Sequence, residues 1–317
     1  MLFNPTDFVR RRIREDTGPR GNADLFYSVT LARPMRVALY QFAPEFPGKD
    51  HNWERIRALA ESTDADVVVF PELTSSGYMY KSRDEIAPYT DSRDALRSLE
   101  PIARKHDRLI IGGFAERGAN GQLFNSAYVV GPERNWVYRK VHLWNVENEL
   151  FGTGSQALTF DFQGHRLGVI VCYDLQFPEL ASYYARKGVE LLLVPMAWAE
   201  EPVALGSDLQ IYNHLAISTA FSHGIYVGVS NRVGTERGAV FPGQSSLTDP
   251  FGRIQHLDSV EGALVASLDF SLIAKAKQPS PRNNLDTDPR LGISLPSARY
   301  SRQRREPKSL GSRPRRR

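Results

Sequence analysis

Three side chains in this sequence have the types and settings that nucleophilic catalysis needs: a thiol, a carboxylate and an ammonium, each at or near the end of a β-rich run. The thiol is Cys172, the only cysteine in 317 residues, closing the apolar run RLGVIV. By composition alone, a lone cysteine reads first as a small buried hydrophobe. Its placement argues for more, because Pro178 suits the first turn of a helix carrying Leu180, Ala181 and Tyr184. A thiol at a strand end facing a helix start is accessible, and its thiolate gains from the positive helix terminus. The carboxylate is Glu72, which follows VVVFP and occupies the equivalent place on a strand that could neighbour the first. The ammonium is Lys140 in VYRKVHLW, where an alternating strand from Val137 puts Tyr138, Lys140 and His142 on one face. Exposed, that face is an ordinary basic strand; buried, Lys140 is a fixed positive charge beside a thiolate or an oxyanion. Nucleophile, base and charge stabiliser together make covalent acyl chemistry possible.

These residues need a scaffold, and the sequence supplies apolar runs without clean alternation, as strands covered on both faces should be: RVALYQF from Arg36, VVVF from Val67, LIIGGF from Leu109, VIVCY from Val169 and LLLVPMAW from Leu191. Helical patterns lie between several of them. Trp53, Ile56, Leu59 and Ala60 line one face before VVVF, and Ala95, Leu96, Leu99, Ile102 and Ala103 do so before LIIGG. The alternation predicts α/β layers. Asn120-Gly121, the GPERN turn, and Asp249, Pro250 and Gly252 in SSLTDPFGRIQHL are hairpin signals, so the sheets are expected to be mixed, with antiparallel additions. The loop AWAEEPVALGSD from Ala197 follows a strand at the expected site face and is expected to help define specificity.

The net charge of +4 divides unevenly. Residues 299–317 hold nine Arg or Lys and one Glu, which leaves the rest at −4. The basic balance belongs to a tail, read as solvated and disordered, so nucleic acid is not expected as a partner beyond weak tail contacts. Residues 1–34 lack sustained periodicity and read as an extension, which leaves 35–298 as one domain. No apolar run approaches the roughly 18 residues a membrane span needs. With no secretion signal and no possible intrachain disulfide, the cytoplasm is the expected compartment.

The ordered set resembles the Glu-Lys-Cys motifs of the nitrilase superfamily of carbon-nitrogen hydrolases. Glu72 in FPELTSSGY, Lys140 in YRKVHLW and Cys172 in VIVCYDLQFPEL match those motifs in chain order and approximate spacing. The resemblance extends from about Met35 to about Pro296, through NRVG at Asn231, the segment Gly243 to Ser245 and the DPFG turn at Asp249. It implies a four-layer α-β-β-α sandwich, association through outer helices into homodimers or larger assemblies, and a second glutamate that helps position the site. Glu147 in WNVENELF has the matching spacing, with Glu149 the alternative.

The resemblance implies amide hydrolysis through a thioester, with Glu72 as general base and acid, and with Lys140 and the backbone N–H of Tyr173 holding the oxyanion. Replacing Lys140 by alanine is then expected to cost rate more than folding. No cofactor or metal is implied, and no Cys-His cluster suggests zinc. Tyr173-Asp174 after the cysteine, where true nitrilases usually have Trp-Glu, resembles the amidase-like and carbamoyl-hydrolase branches. Gln176 stands where many relatives have arginine, which favours a neutral amide over an N-carbamoyl amino acid. Tyr78, Trp144, Phe177 and Trp198 lie near the motifs and either line an acyl pocket or serve as core aromatics. The family pattern is also broken by Thr153 in FGTGSQ and by Ser222 and His223 in TAFSHG, which bears on substrate preference and loop geometry.

Other readings fit less well. GTGSQA from Gly152 satisfies a dinucleotide fingerprint but leads into the strand-like LTFDF, where that fingerprint needs a helix. A papain-like protease would pair the thiol with a histidine, and none of the seven can be assigned to Cys172. A catalytically silent interaction protein with a nucleic-acid-binding tail is the alternative from another class, against which the three retained residues argue.

Overall fold

The computed structural model describes residues 33–199 and 209–277. Residues 1–32 of the extension, residues 200–208 of the expected specificity loop and the basic tail lie outside the described residues.

Two six-stranded mixed sheets form the centre. In the first, β1 (Met35–Gln41), β2 (Val67–Val69) and β3 (Leu109–Arg117) run parallel. Antiparallel β4 (Leu123–Val130) and β5 (Asn135–Arg139) extend one edge, and β14 (Gly262–Leu268) the other. In the second sheet β7 (His165–Val169), β8 (Leu191–Met196) and β9 (Tyr226–Asn231) run parallel. There β6 (Leu158–Phe162) flanks one side, with β12 (Ser246–Thr248) and β13 (Ile254–His256) on the other. A separate hairpin joins β10 (Val233–Glu236) to β11 (Ala239–Pro242).

The helices are α1 (Lys49–Ser62), α2 (Arg83–Ile86), α3 (Glu100–His106), α4 (Glu147–Leu150), α5 (Pro178–Arg186), α6 (Ile211–His223) and α7 (Ser271–Ala276). The two-residue period of a strand assigns the layers. Val67 and Val69 of β2 pack with Val169, Leu191 and Val229 between the sheets. Val68 points the other way, into a cluster with Trp53, Ile56 and Ala60 of α1 and Ala103 of α3. On the second sheet Leu192 and Val194 share a core with Tyr184 of α5 and Tyr212, Ala216 and Ala220 of α6. The order helices, sheet, sheet, helices is the expected α-β-β-α sandwich. Each fully buried Val or Leu contributes roughly 1.5–3 kcal/mol, so the continuous apolar runs read from the sequence hold the two sheets together. Among the described residues no helix is long and apolar enough to cross a membrane.

Three local expectations change. The helical pattern from Ala95 to Ala103 splits into a 3-10 turn (Arg93–Ser98) and α3, because Pro101 lies at the start of α3 and brings no N–H for continuation. The run ending at Cys172 leaves the ladder at Val169: Ile170 still donates to the Leu193 carbonyl at 3.1 Å, but the Val171 N–H goes to the Asp174 carboxylate. The strands before Glu72 and Cys172 are not neighbours in one sheet. β2 lies between β1 and β3, and β7 between β6 and β8, so the two residues approach from opposite sheets.

Candidate active site

Glu72 is placed by backbone on both sides of the sandwich. Phe70 N–H continues the β2 register onto the Ile111 carbonyl at 2.8 Å, and Glu72 N–H donates to Met196 of the other sheet at 3.3 Å. Leu73 then turns with φ 46°, a left-handed conformation uncommon for a residue with a side chain. Gly113 of β3 runs directly beneath. A Cβ there would stand 2.5 Å from Glu72 Cα and 2.2 Å from Leu73 N, so this position in LIIGGF must be glycine for Glu72 to sit where it does.

Lys140 is the residue after β5. Its N–H donates to the Asn125 carbonyl at 2.9 Å, and its carbonyl accepts from Gly154 N–H at 2.8 Å. A Cβ on Gly154 would lie 1.9 Å from the Arg139 carbonyl oxygen. The stretch GTGSQ therefore lets the chain press against the segment that carries the lysine, a structural reason for glycine unconnected with nucleotides. The side chain is 0% exposed. Its ammonium lies 2.7 Å from Glu72 Oε1, 2.9 Å from Glu147 Oε1 and 2.8 Å from Glu147 Oε2.

Glu147, at the start of α4, is saturated. Besides Lys140 it accepts from Asn125 Nδ2 at 2.9 Å, the Tyr78 hydroxyl at 2.9 Å and the Trp144 N–H at 2.8 Å. Asn125 Nδ2 also donates to Glu72 Oε1 at 2.7 Å, and the second Glu72 oxygen accepts the Ala197 N–H at 2.9 Å. The cluster is thus two carboxylates bridged by one ammonium and one amide.

Cys172 is buried, 5% exposed, where its place at a strand end before a helix suggests an accessible thiol. The reason is a short 3-10 turn (Cys172–Gln176), which begins at Cys172 with φ 47° and intervenes before α5. A non-glycine residue held in this region costs of order 1–3 kcal/mol and is a mark of functional turns. The strain is held by Asp174, whose buried carboxylate accepts from Val171 N–H at 3.1 Å, Tyr138 hydroxyl at 2.8 Å and His142 N–H at 2.9 Å, and lies 2.8 Å from His142 Nδ1. Tyr173 is in the first turn of this helix, where an N–H has no intrahelical partner. His142, whose ring stacks on Phe177 at 3.5 Å, is engaged with Asp174.

Burial governs the ionisation of the cluster. It pushes the Glu72 carboxyl above the usual carboxylate range; Lys140 pulls it back and Glu147 adds to the rise. The same burial works against the Lys140 ammonium, but Glu147 and Glu72 together outweigh it and hold that group well above an ordinary lysine. The Cys172 thiol is pushed well up by burial and then by the Glu72 charge, against the pull of Lys140. Burial and the neighbouring Glu72 charge thus both favour the neutral form of the Cys172 thiol. Because Lys140 bridges two buried carboxylates, removing it leaves uncompensated charge, so the alanine variant is expected to lose folding stability, which the sequence-based expectation places second to rate.

Of the other expected residues, Tyr78 is buried, with its hydroxyl on Glu147. Trp198 is buried against Tyr212, its backbone N–H donating to Asn231 Oδ1 at 2.9 Å, while Asn231 Nδ2 donates to the Gly243 carbonyl at 2.9 Å. NRVG and the Gly243 segment thereby brace the chain next to Ala197. Phe177 is half-buried between His142 and Tyr173. Trp144 reaches the cluster through its N–H, with a side chain 44% exposed, and Gln176 is exposed. Asn125, Asp174 and the Ala197 N–H are the functional groups that sequence reasoning missed. Asn125 left a trace as an amide beside Ser126 in the largely apolar run LFNSAYVV, and Asp174 only as a departure from Trp-Glu.

The carbon-nitrogen hydrolase family model matches residues 36–278. A hydrolase in the pqqF 5′ region of Pseudomonas protegens is 33% identical over 79% of this chain and 88% of its own length. The 2-oxoglutaramate amidase of Bacillus subtilis is 30% identical over 70% of this chain and 85% of its own. Among solved structures, an amidase from Nesterenkonia sp. has a TM-score of 0.65 at 26% identity, covering 78% of this chain and 95% of that one. A variant of that amidase shows the result of Michael addition of acrylamide at the active site cysteine. With its sandwich fold and its Glu72, Lys140 and Cys172 motifs, this chain belongs to the carbon-nitrogen hydrolase family, as an amidase-type enzyme of the nitrilase superfamily.

Proposed function

We propose that the enzyme hydrolyses small linear amides through a thioester on Cys172. The observation that carries this reading is the fully buried Lys140 ammonium bonded at once to Glu72 and Glu147, whose charges, with its own, act on the Cys172 thiol. Glu72 takes the thiol proton as the sulfur attacks the amide carbon, and the carbonyl π pair moves onto oxygen. Lys140 and the Tyr173 N–H hold that oxyanion. In the resting site the ammonium faces Glu72 Oε1 and both Glu147 oxygens. Protonation of Glu72 removes the charge holding the first of these contacts, so an N–H is released as the oxyanion appears.

Collapse of the intermediate breaks the C–N bond; Glu72 returns its proton to nitrogen, ammonia or an amine leaves, and the thioester remains. Glu72 then deprotonates water, which attacks the thioester; the C–S bond breaks, the thiol regains a proton and a carboxylic acid departs. One carboxyl group serves both half-reactions. Glu147, saturated by its own donors, positions Lys140 without touching substrate.

The preference for a neutral amide is supported by Gln176 and by the commitment of two buried cations at the cluster and beside it: Lys140 to two carboxylates, Arg232 to Glu236. An ammonia-release screen of aliphatic amides, aromatic amides, dicarboxylic acid monoamides, N-carbamoyl compounds and nitriles, blanked with Cys172→Ala, tests this. Release from neutral amides supports it. Turnover confined to N-carbamoyl compounds or to nitriles overturns it in favour of those branches.

A further inference from the structure

A second buried charge pair lies one residue removed from the cluster. Arg232, 1% exposed, immediately precedes β10 and Glu236, 4% exposed, is its last residue, with Arg232 Nη1 donating to Glu236 Oε2. The other Glu236 oxygen accepts the backbone N–H groups of Tyr78, at 2.8 Å, and of Met79. The Arg232 guanidinium stands 4.1 Å over the Phe241 ring, and Phe241 meets the Tyr78 ring edge-on at 6.1 Å between centroids. The Tyr78 hydroxyl then donates to Glu147 Oε1 at 2.9 Å. Backbone and ring of Tyr78 are therefore both held by the hairpin of β10 and β11, and the hydroxyl at the far end touches the carboxylate that grips Lys140.

A buried ion pair is weak evidence of stability in itself, because desolvation offsets most of its attraction. Here the carboxylate has a second task, since it collects two backbone donors at the turn that aims Tyr78. We propose that Arg232, Glu236 and Phe241 act as a positioning frame that sets the Tyr78 hydroxyl on Glu147 and thereby fixes Lys140 for oxyanion stabilisation. This rests on the thioester reading of the site and adds to it residues that touch neither substrate nor nucleophile.

The test is a mutant cycle on kcat and KM for the best amide of the screen, using Glu236→Gln, Phe241→Leu and Tyr78→Phe, with melting temperature followed in parallel. Misplacing a catalytic group by an ångström from a distance costs on the order of 10²-fold in rate. Glu236→Gln and Phe241→Leu are expected to lower kcat by up to about that factor with KM little changed. In the Tyr78→Phe background, neither should lower kcat further, because the hydroxyl they aim is gone. Should Glu236→Gln not fold, Arg232→Met with Glu236→Gln removes both charges at similar volume, and Phe241→Leu runs the same cycle without changing any charge. Additive losses in the two backgrounds, or wild-type kcat in every foldable frame variant, overturn the proposal. If the wild type acylates on Cys172 and the cycle is additive, the frame alone is wrong; if the wild type never acylates, the thioester reading is wrong.

Discussion

In both six-stranded sheets a parallel trio is flanked by antiparallel edges, yet the two contribute opposite chemistry to the site. The first sheet and its loops supply every charge of the cluster: Glu72 after β2, Lys140 after β5 and Glu147 on α4, with Asn125 of β4 between the carboxylates. The second supplies the thiol after β7 and, beyond β8, the neutral Ala197 N–H that holds Glu72. The charges thus compensate one another on one side of the interface. On the other side burial favours the neutral thiol, and in the proposed mechanism Glu72 accepts its proton. Reactivity on this account arises across the sheet interface, and either half alone is inert.

The comparison can be broken at each side. Cys172→Ala removes the contribution of the second sheet and should cost on the order of 10⁶-fold in ammonia release, as loss of a nucleophile from a concerted unit does. Glu72→Gln should cost about 10²–10⁴-fold, the usual worth of a positioned base. Lys140→Ala should lose about 10²–10³-fold in kcat. It should also lower stability by roughly 3–5 kcal/mol in denaturant unfolding, because two buried carboxylates are left facing each other. Gly113→Ala touches only the first sheet. Its Cβ meets the Glu72 backbone, so it should cost about 1–3 kcal/mol and lower kcat, while alkylation of Cys172 in the second sheet still goes to completion.

The smallest effect is in the pH profile. Burial raises the Glu72 carboxyl, so the base is lost by protonation as pH falls through that raised value. The acid limb of kcat/KM should lie above the ordinary glutamate value of about 4.3. An acid limb at or below that value would mean the base is not the buried carboxyl.

Much of this was legible in the sequence because it depends on local pattern. Continuous apolar runs announced the buried strands, Pro178 announced the start of α5, and Glu72, Lys140 and Cys172 stood out by type, placement and mutual order. Which strand lies in which sheet was not legible: a two-residue period says that a side chain faces a core, not which partner lies across it. Asn125 and Asp174 escaped because a polar residue near an apolar run has many bland explanations until its partners are known. The Ala197 N–H leaves no mark at all, since every residue but proline has one. Asp174 had drawn notice only as a departure from Trp-Glu. Its bonds to Val171, Tyr138 and His142 show it holding the turn that presents the thiol.

The central claim is that carbon-nitrogen cleavage passes through an acyl group on Cys172, with Glu72 as the proton carrier. Intact-protein mass spectrometry of the wild type, quenched soon after mixing with an activated ester or a turned-over amide, tests it most directly. A mass increase equal to the acyl group, located on Cys172 by peptide mapping, absent in Cys172→Ala and slow to form in Glu72→Gln, is the predicted result. Steady ammonia release from the wild type with no acyl adduct, or an unchanged rate in Cys172→Ala, would contradict it.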